Sequence, residues 1–115
     1  MPEHDSYAAM LAAVQAFHDK HDFARNGGER MAFRVALMAE ELGEISAAVT
    51  KGKGKAALAE ECADLLILLI GNAIAADFDL AGAFWTKMDE LMQRPSRVVD
   101  GTIRVSRFEG QDPVD

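Results

Sequence analysis

The sequence predicts an all-α protein: a four-helix bundle completed by dimerisation, with a short hairpin-like tail at its C-terminus. Three observations lead there. Apolar residues recur at three- and four-residue intervals from Tyr7 to Met92. The periodic runs are broken at Asn26-Gly27-Gly28, at Lys51-Gly52-Lys53-Gly54-Lys55 and before Pro95, segments that favour turns over helix. One stretch, Ala63 to Ala76, is apolar on nearly every face, the mark of a helix surrounded by protein. At 115 residues, with 50% hydrophobic and 27% charged, the chain has the size and usage of one globular domain with a small core.

Helix one opens after the possible caps Asp5 and Ser6. Its face is Tyr7, Met10, Leu11, Val14, Phe17 and His18, and it is expected to end near Arg25. Helix two begins around Glu29, with Val35, Met38, Leu42, Ile45 and Val49 as one stripe. It stops at the Lys51 to Lys55 segment, where glycines terminate the helix and lysines suit its C-terminal dipole. Helix three runs from about Ala57 to Ala76. A chain this short can hardly surround that helix alone, so a subunit interface is expected: a homodimer in which hairpins from two chains make a bundle, or a homotetramer of paired dimers. Helix four follows Asp79 with Leu80, Phe84, Met88, Leu91 and Met92 on one side, and ends before Pro95 because the residue preceding proline disfavours helical angles. Val98 to Val105 reads as a short hairpin about the Asp100-Gly101 turn, and Glu109 to Asp115 as a frayed end.

Composition narrows the partners. A net charge of -7 and a pI near 4.9 give no basic footprint for a nucleic-acid backbone, so a polymer partner is not expected. Cys62, the single cysteine, has no intrachain partner, which suits a reducing compartment, and the polar, acidic start from Met1 to Ser6 lacks the layout of a signal peptide. The longest apolar run is broken by Gly71 and Asn72 and falls short of the roughly 20 residues of a spanning helix. A cytoplasmic protein without a membrane partner is the expectation.

The chemistry lies in two helices. Glu40-Glu41-Leu42-Gly43-Glu44 stands on helix two and Glu61-Cys62-Ala63-Asp64 on helix three, so each helix presents carboxylates three residues apart on one face. Glu44 with Glu61, and Glu41 with Asp64, are each centred on the midpoint between Gly52 and Lys53. An antiparallel hairpin turning there brings the four side chains level. Carboxylates so clustered repel, each pair at about 4 Å by about 4 kcal/mol at an effective dielectric of about 20. A hard divalent cation offsets this: Mg²⁺, or Mn²⁺ in its place, takes a few carboxylates, several waters and the phosphates of a substrate. Zinc is disfavoured, since no Cys or His stands at ligand spacing in the cluster. The competing reading is an acidic patch that is solvated or interfacial. Leu37 and Ala48 beside the first pair, and the apolar helix that follows the second, set these acids towards the border of the core and weaken that reading; on the residues alone both readings stand.

The string Ala39-Glu40-Glu41-Leu42-Gly43-Glu44-Ile45, followed by Glu61-Cys62-Ala63-Asp64-Leu65-Leu66, resembles the E-E-x-x-E and E-x-x-D signature of the all-α nucleoside triphosphate pyrophosphatases, the superfamily of MazG and the dimeric dUTPases. The resemblance covers about Met31 to Arg94 with matching helix order. It implies a MazG-like bundle that cleaves a nucleoside triphosphate between the α and β phosphates, giving the monophosphate and pyrophosphate in a house-cleaning or pool-balancing role. It further implies Glu41, Glu44, Glu61 and Asp64 as Mg²⁺ ligands, with Glu40 orienting or deprotonating the attacking water. Lys87 and Arg94, seven residues apart on one face of helix four, are the candidates to neutralise phosphate charge, against the plainer role of solvated charges near a helix end.

Two departures bear on the substrate. Many relatives place an Asn between that Lys and Arg, where this chain has Asp89, Glu90 and Leu91. The sister group of phosphoribosyl-ATP pyrophosphatases often has a His four residues after the Asp, where this chain has Leu68, so that assignment ranks second. A catalytically silent dimerisation or regulatory module is the alternative from another class. For the base, Phe17, His18, Phe33, Asn72 and Trp85 are candidates, weighed against simple core roles; Asn72, a lone amide in an apolar helix, needs hydrogen-bond partners that a base edge or a backbone carbonyl would supply. His18 and His21 have no further ligand nearby to make a metal site, and the Lys51 to Lys55 loop lies too far from the acids to share their work.

Overall fold

The structure, a computed structural model, describes residues 4–107 and contains helices α1 (Tyr7–Lys20), α2 (Met31–Thr50), α3 (Lys55–Ala75) and α4 (Leu80–Gln93), then strands β1 (Ser96–Val99) and β2 (Thr102–Val105). The all-α class and the small terminal hairpin are as the sequence predicts. The expected fraying of Glu109 to Asp115 lies outside the described residues. The chain divides between Asp79 and Leu80 into two compact units.

In the first unit, Ser6 caps α1 by accepting a hydrogen bond from the Ala9 N–H at 3.1 Å. The three helices then end alike. The Phe23 N–H reaches the His18 carbonyl, the Lys53 N–H that of Ala48 and the Phe78 N–H that of Ala73, each at 3.0 Å. The residue before each donor is left-handed: Asp22 at φ 54°, Gly52 at φ 60° and Asp77 at φ 54°. This is the Schellman closure, which satisfies carbonyls left open at a helix end. It also corrects two expected boundaries: α1 stops at Lys20 rather than near Arg25, and residues 21–29 form turns, so α2 opens at Met31.

Helices α2 and α3 form the antiparallel hairpin, and α1 packs on α3. Val14, Ala48, Ile70 and Ala73 are buried. The stripe expected for α2 divides. Its inward face runs through Arg34, Met38, Glu41, Ile45 and Ala48, whereas Val35, Leu42 and Val49, seven residues apart, form a separate exposed line. Leu66, Ile67 and Leu69 of α3 are exposed as well. Among the described residues no single helix is long and apolar enough to cross a membrane.

In the second unit, β1 and β2 pair antiparallel with Val99 opposite Thr102 and Arg97 opposite Arg104. Asp100 and Gly101 take φ 51° and 79°, the left-handed pair that a two-residue hairpin turn requires.

Candidate active site

The hairpin register brings the acids together. Glu41, Glu61 and Asp64 each offer a carboxylate oxygen, and these oxygens lie within 4.8 Å of one another. Glu41 and Glu61 are half-buried, and Glu41 Oε2 is buried without a hydrogen-bond partner. Burial pushes the Glu41 carboxyl above the ordinary carboxylate range, and the charges of Asp64, Glu44 and Glu40 add to the shift. Glu61 is raised likewise, by burial first, then by Glu41, Glu44 and Asp64, and by a hydrogen bond shared with Asp64. Glu44 stands outside the group of three, close enough for its charge to act on two of them. Glu40 is exposed, and its charge reaches Glu41 but not Glu61. Its position follows from the helix, which turns it about 100° from Glu41.

An acidic cluster with a buried, unpartnered oxygen fits a divalent cation, which would satisfy that oxygen and cancel the mutual repulsion. The cluster also forms one wall of a cavity of about 450 Å³. Ala13, Val14 and Phe17 of α1 line it, with Leu37 of α2 and Ile67 and Leu68 of α3, and its polar walls are Glu41 and Asp64. An apolar slot beside a cation site can take a flat, weakly polar group next to a phosphate chain.

The structure separates the base candidates. Phe17 lines the cavity. His18 is 3% exposed and stacks on Phe23 at a 4.4 Å ring separation. Asn72 is engaged inside the protein: its Oδ1 accepts from Arg34 Nε at 2.7 Å, and its Nδ2 donates to Met38 Sδ at 3.3 Å. Phe33 and Trp85 are exposed, and Trp85 meets Phe84 edge-on at 5.0 Å.

Arg34 is the residue that sequence reasoning missed. At 1% exposure it is the most enclosed large side chain, and it donates to the Gly28 carbonyl at 3.1 Å, the Leu68 carbonyl at 2.9 Å and Asn72. It ties the turn after α1 to α3, one heptad below the carboxylates, and Leu68 is a wall of the cavity. Gly71 leaves room for it. A Cβ there would collide with the Arg34 guanidinium and stand 2.9 Å from His18 Nε2. One signal was readable beforehand: Arg34 and Gly71 share the midpoint of the acidic pairs, between Gly52 and Lys53, so a long side chain faces a position without one.

In the second unit the two basic candidates share one partner. Lys87 Nζ lies 3.3 Å from Glu90 Oε2, and Arg94 Nη2 lies 3.1 Å from Glu90 Oε1.

An antiparallel helix pair thus brings three carboxylates together beside an apolar slot, and the family match defines the class: a pyrophosphohydrolase, a hydrolase that acts on a phosphoanhydride. The family model described as phosphoribosyl-ATP pyrophosphohydrolase matches residues 7–89, and the chain belongs to that family, within the MazG-like all-α superfamily. No curated protein sequence and no solved structure matches the chain. The match reaches from α1 to most of α4 and leaves out the hairpin.

Proposed function

We propose that this protein is a Mg²⁺-dependent nucleoside triphosphate pyrophosphohydrolase, acting on the α–β phosphoanhydride to give a nucleoside monophosphate and pyrophosphate. One observation carries the reading: three carboxylate oxygens within 4.8 Å, one of their carboxylates with a buried oxygen lacking a partner, at the wall of an apolar slot. Glu41, Glu61 and Asp64 would hold Mg²⁺, or Mn²⁺ in its place, with Glu44 completing the set. The ion supplies neutralisation of phosphate charge and polarisation of the anhydride. Glu40, exposed beside Glu41, orients the attacking water or takes its proton. Lys87 and Arg94 bind phosphate oxygens, and the base lies against Phe17. His18 and Asn72 act on the site through Arg34 and the packing around it. Trp85, with its open ring, offers a second stacking surface.

Two observations bear on the substrate. The family match favours phosphoribosyl-ATP. The slot suits a plain nucleoside triphosphate: among the described residues its walls are apolar apart from Glu41 and Asp64, and Leu68 is one of the apolar ones. Hydrolysis of a panel of ribo- and deoxynucleoside triphosphates beside phosphoribosyl-ATP, with products resolved by anion-exchange chromatography, tests both. Monophosphate and pyrophosphate from a triphosphate, at higher kcat/KM than from phosphoribosyl-ATP, is the expected outcome. Preference for phosphoribosyl-ATP would move the assignment to that substrate, and no hydrolysis by folded protein would leave the silent-module reading.

The working form is an oligomer, a homodimer or a homotetramer. Val35, Leu42, Val49, Leu66 and Leu69 are large apolar side chains exposed on the hairpin, and a second copy would cover them.

A further inference from the structure

Glu90 is the hub of an ion-pair network that joins α4 to the end of the hairpin. Its Oε2 faces Lys87 Nζ at 3.3 Å, while its Oε1 receives Arg94 Nη2 at 3.1 Å and Arg107 Nη2 at 3.3 Å. Among the described residues one carboxylate thus gathers three cations, a surplus of two positive charges within this network. Glu90, Arg94 and Arg107 also line a cleft of about 340 Å³, which leaves space beside the carboxylate for a further group. The Arg94 side chain is the most enclosed of the three, at 21% exposure. The hydrogen bonds from Lys87 and Arg107, with the Lys87 charge, hold the Glu90 carboxyl below the usual range, so it keeps its charge.

We infer that Lys87, Arg94 and Arg107 form a binding site for the terminal phosphate of a polyphosphate chain, and that Glu90 is an internal anion competing for it. The proposal rests on the phosphate role given above to Lys87 and Arg94, and adds Arg107 and the opposing action of Glu90. Two guanidiniums on one oxygen and an ammonium on the other suit a group with several charged oxygens, and a surplus of two positive charges suits a terminal phosphate, which carries more charge than an internal one. Glu90 keeps the cations gathered while the site is empty. The entering phosphate must displace it, and this lowers the affinity of the site for its anion.

The opposing action separates this from a structural role, which would make loss of Glu90 weaken binding. The test is calorimetric titration of inorganic pyrophosphate into the full chain at low ionic strength, after divalent ions are removed on a chelating resin. Turnover plays no part, so a protein that hydrolyses no nucleotide can still pass. The expected result is metal-free binding that Arg107→Ala weakens by about tenfold and Glu90→Gln tightens by about fivefold, the effects of removing one attractive and one repulsive charge near the surface. Circular dichroism confirms that each variant is folded. No binding by the wild type, unchanged affinity in Arg107→Ala, or unchanged or weaker affinity in Glu90→Gln would overturn the inference.

Discussion

At the scale of single residues, Arg34 and Gly71 set the interior below the carboxylates. A buried guanidinium is tolerable when oxygens replace its lost water, and three hydrogen bonds do this. Gly71→Ala should destabilise the protein by about 1–3 kcal/mol, the usual cost of overpacking, read from urea denaturation. His18 lies against this charge. Burial, then Arg34, hold its imidazole below the ordinary value of 6.5, against weaker opposite effects of Glu29 and Asp19. The folded state therefore keeps His18 neutral while the unfolded chain protonates it. Its contribution to stability is present above pH 6.5 and is lost as pH falls through the folded value. Between pH 7.5 and 5.5 the wild type should lose more stability than His18→Gln; equal losses would remove His18 from the account. The meeting of Glu41, Glu61 and Asp64 was legible in the sequence because their spacing is symmetric about a turn marked by glycines, whereas Glu44, expected level with them, stands outside the group of three. Arg34 was harder to read: Gly71 faces it across the same turn, but a lone arginine in an apolar helix ordinarily reaches solvent, and its partners on α3 show that this one does not.

At the scale of elements, the sequence announced where helices exist better than where they end. Glycines at 52 and 54 and Pro95 made the ends of α2 and α4 readable. The end of α1 was hidden because the closing left-handed residue is Asp22, a type that enters that conformation less readily than glycine and so gives no clear signal. Asp77 closes α3 in the same way. Asp77→Gly should therefore stabilise the protein by about 0.5–1 kcal/mol, seen as a higher urea midpoint with unchanged slope. The divided face of α2 has a similar lesson. Period alone assigned Val35, Met38, Leu42, Ile45 and Val49 to one stripe, but the inward line contains Arg34 and Glu41, a charge and a carboxylate that hydropathy patterning places outside. A guanidinium and a carboxylate on the inward face displaced the apolar pattern.

At the scale of the whole molecule, the metal-free protein carries an electrostatic cost that its ligand should relieve. Glu41 and Glu61 are raised above the ordinary 4.5, so the folded state binds more protons than the unfolded one, and these groups lower stability as pH rises through their titration. Mg²⁺ with nucleotide should then raise the melting temperature near pH 8 and do little near pH 4.5, where Glu41 and Glu61 hold protons. The exposed apolar line on α2 and α3 predicts association: Leu69→Asp should lower the mass measured by sedimentation equilibrium, and an unchanged mass would place the interface elsewhere. The central claim is that the levelled carboxylates are the reaction's metal site. Its most direct test is pyrophosphate release with Mg²⁺ by the wild type beside Glu41→Gln and Asp64→Asn. We predict release by the wild type and a loss of at least about 100-fold in each variant, with fold retained. Release that survives both substitutions would contradict the account.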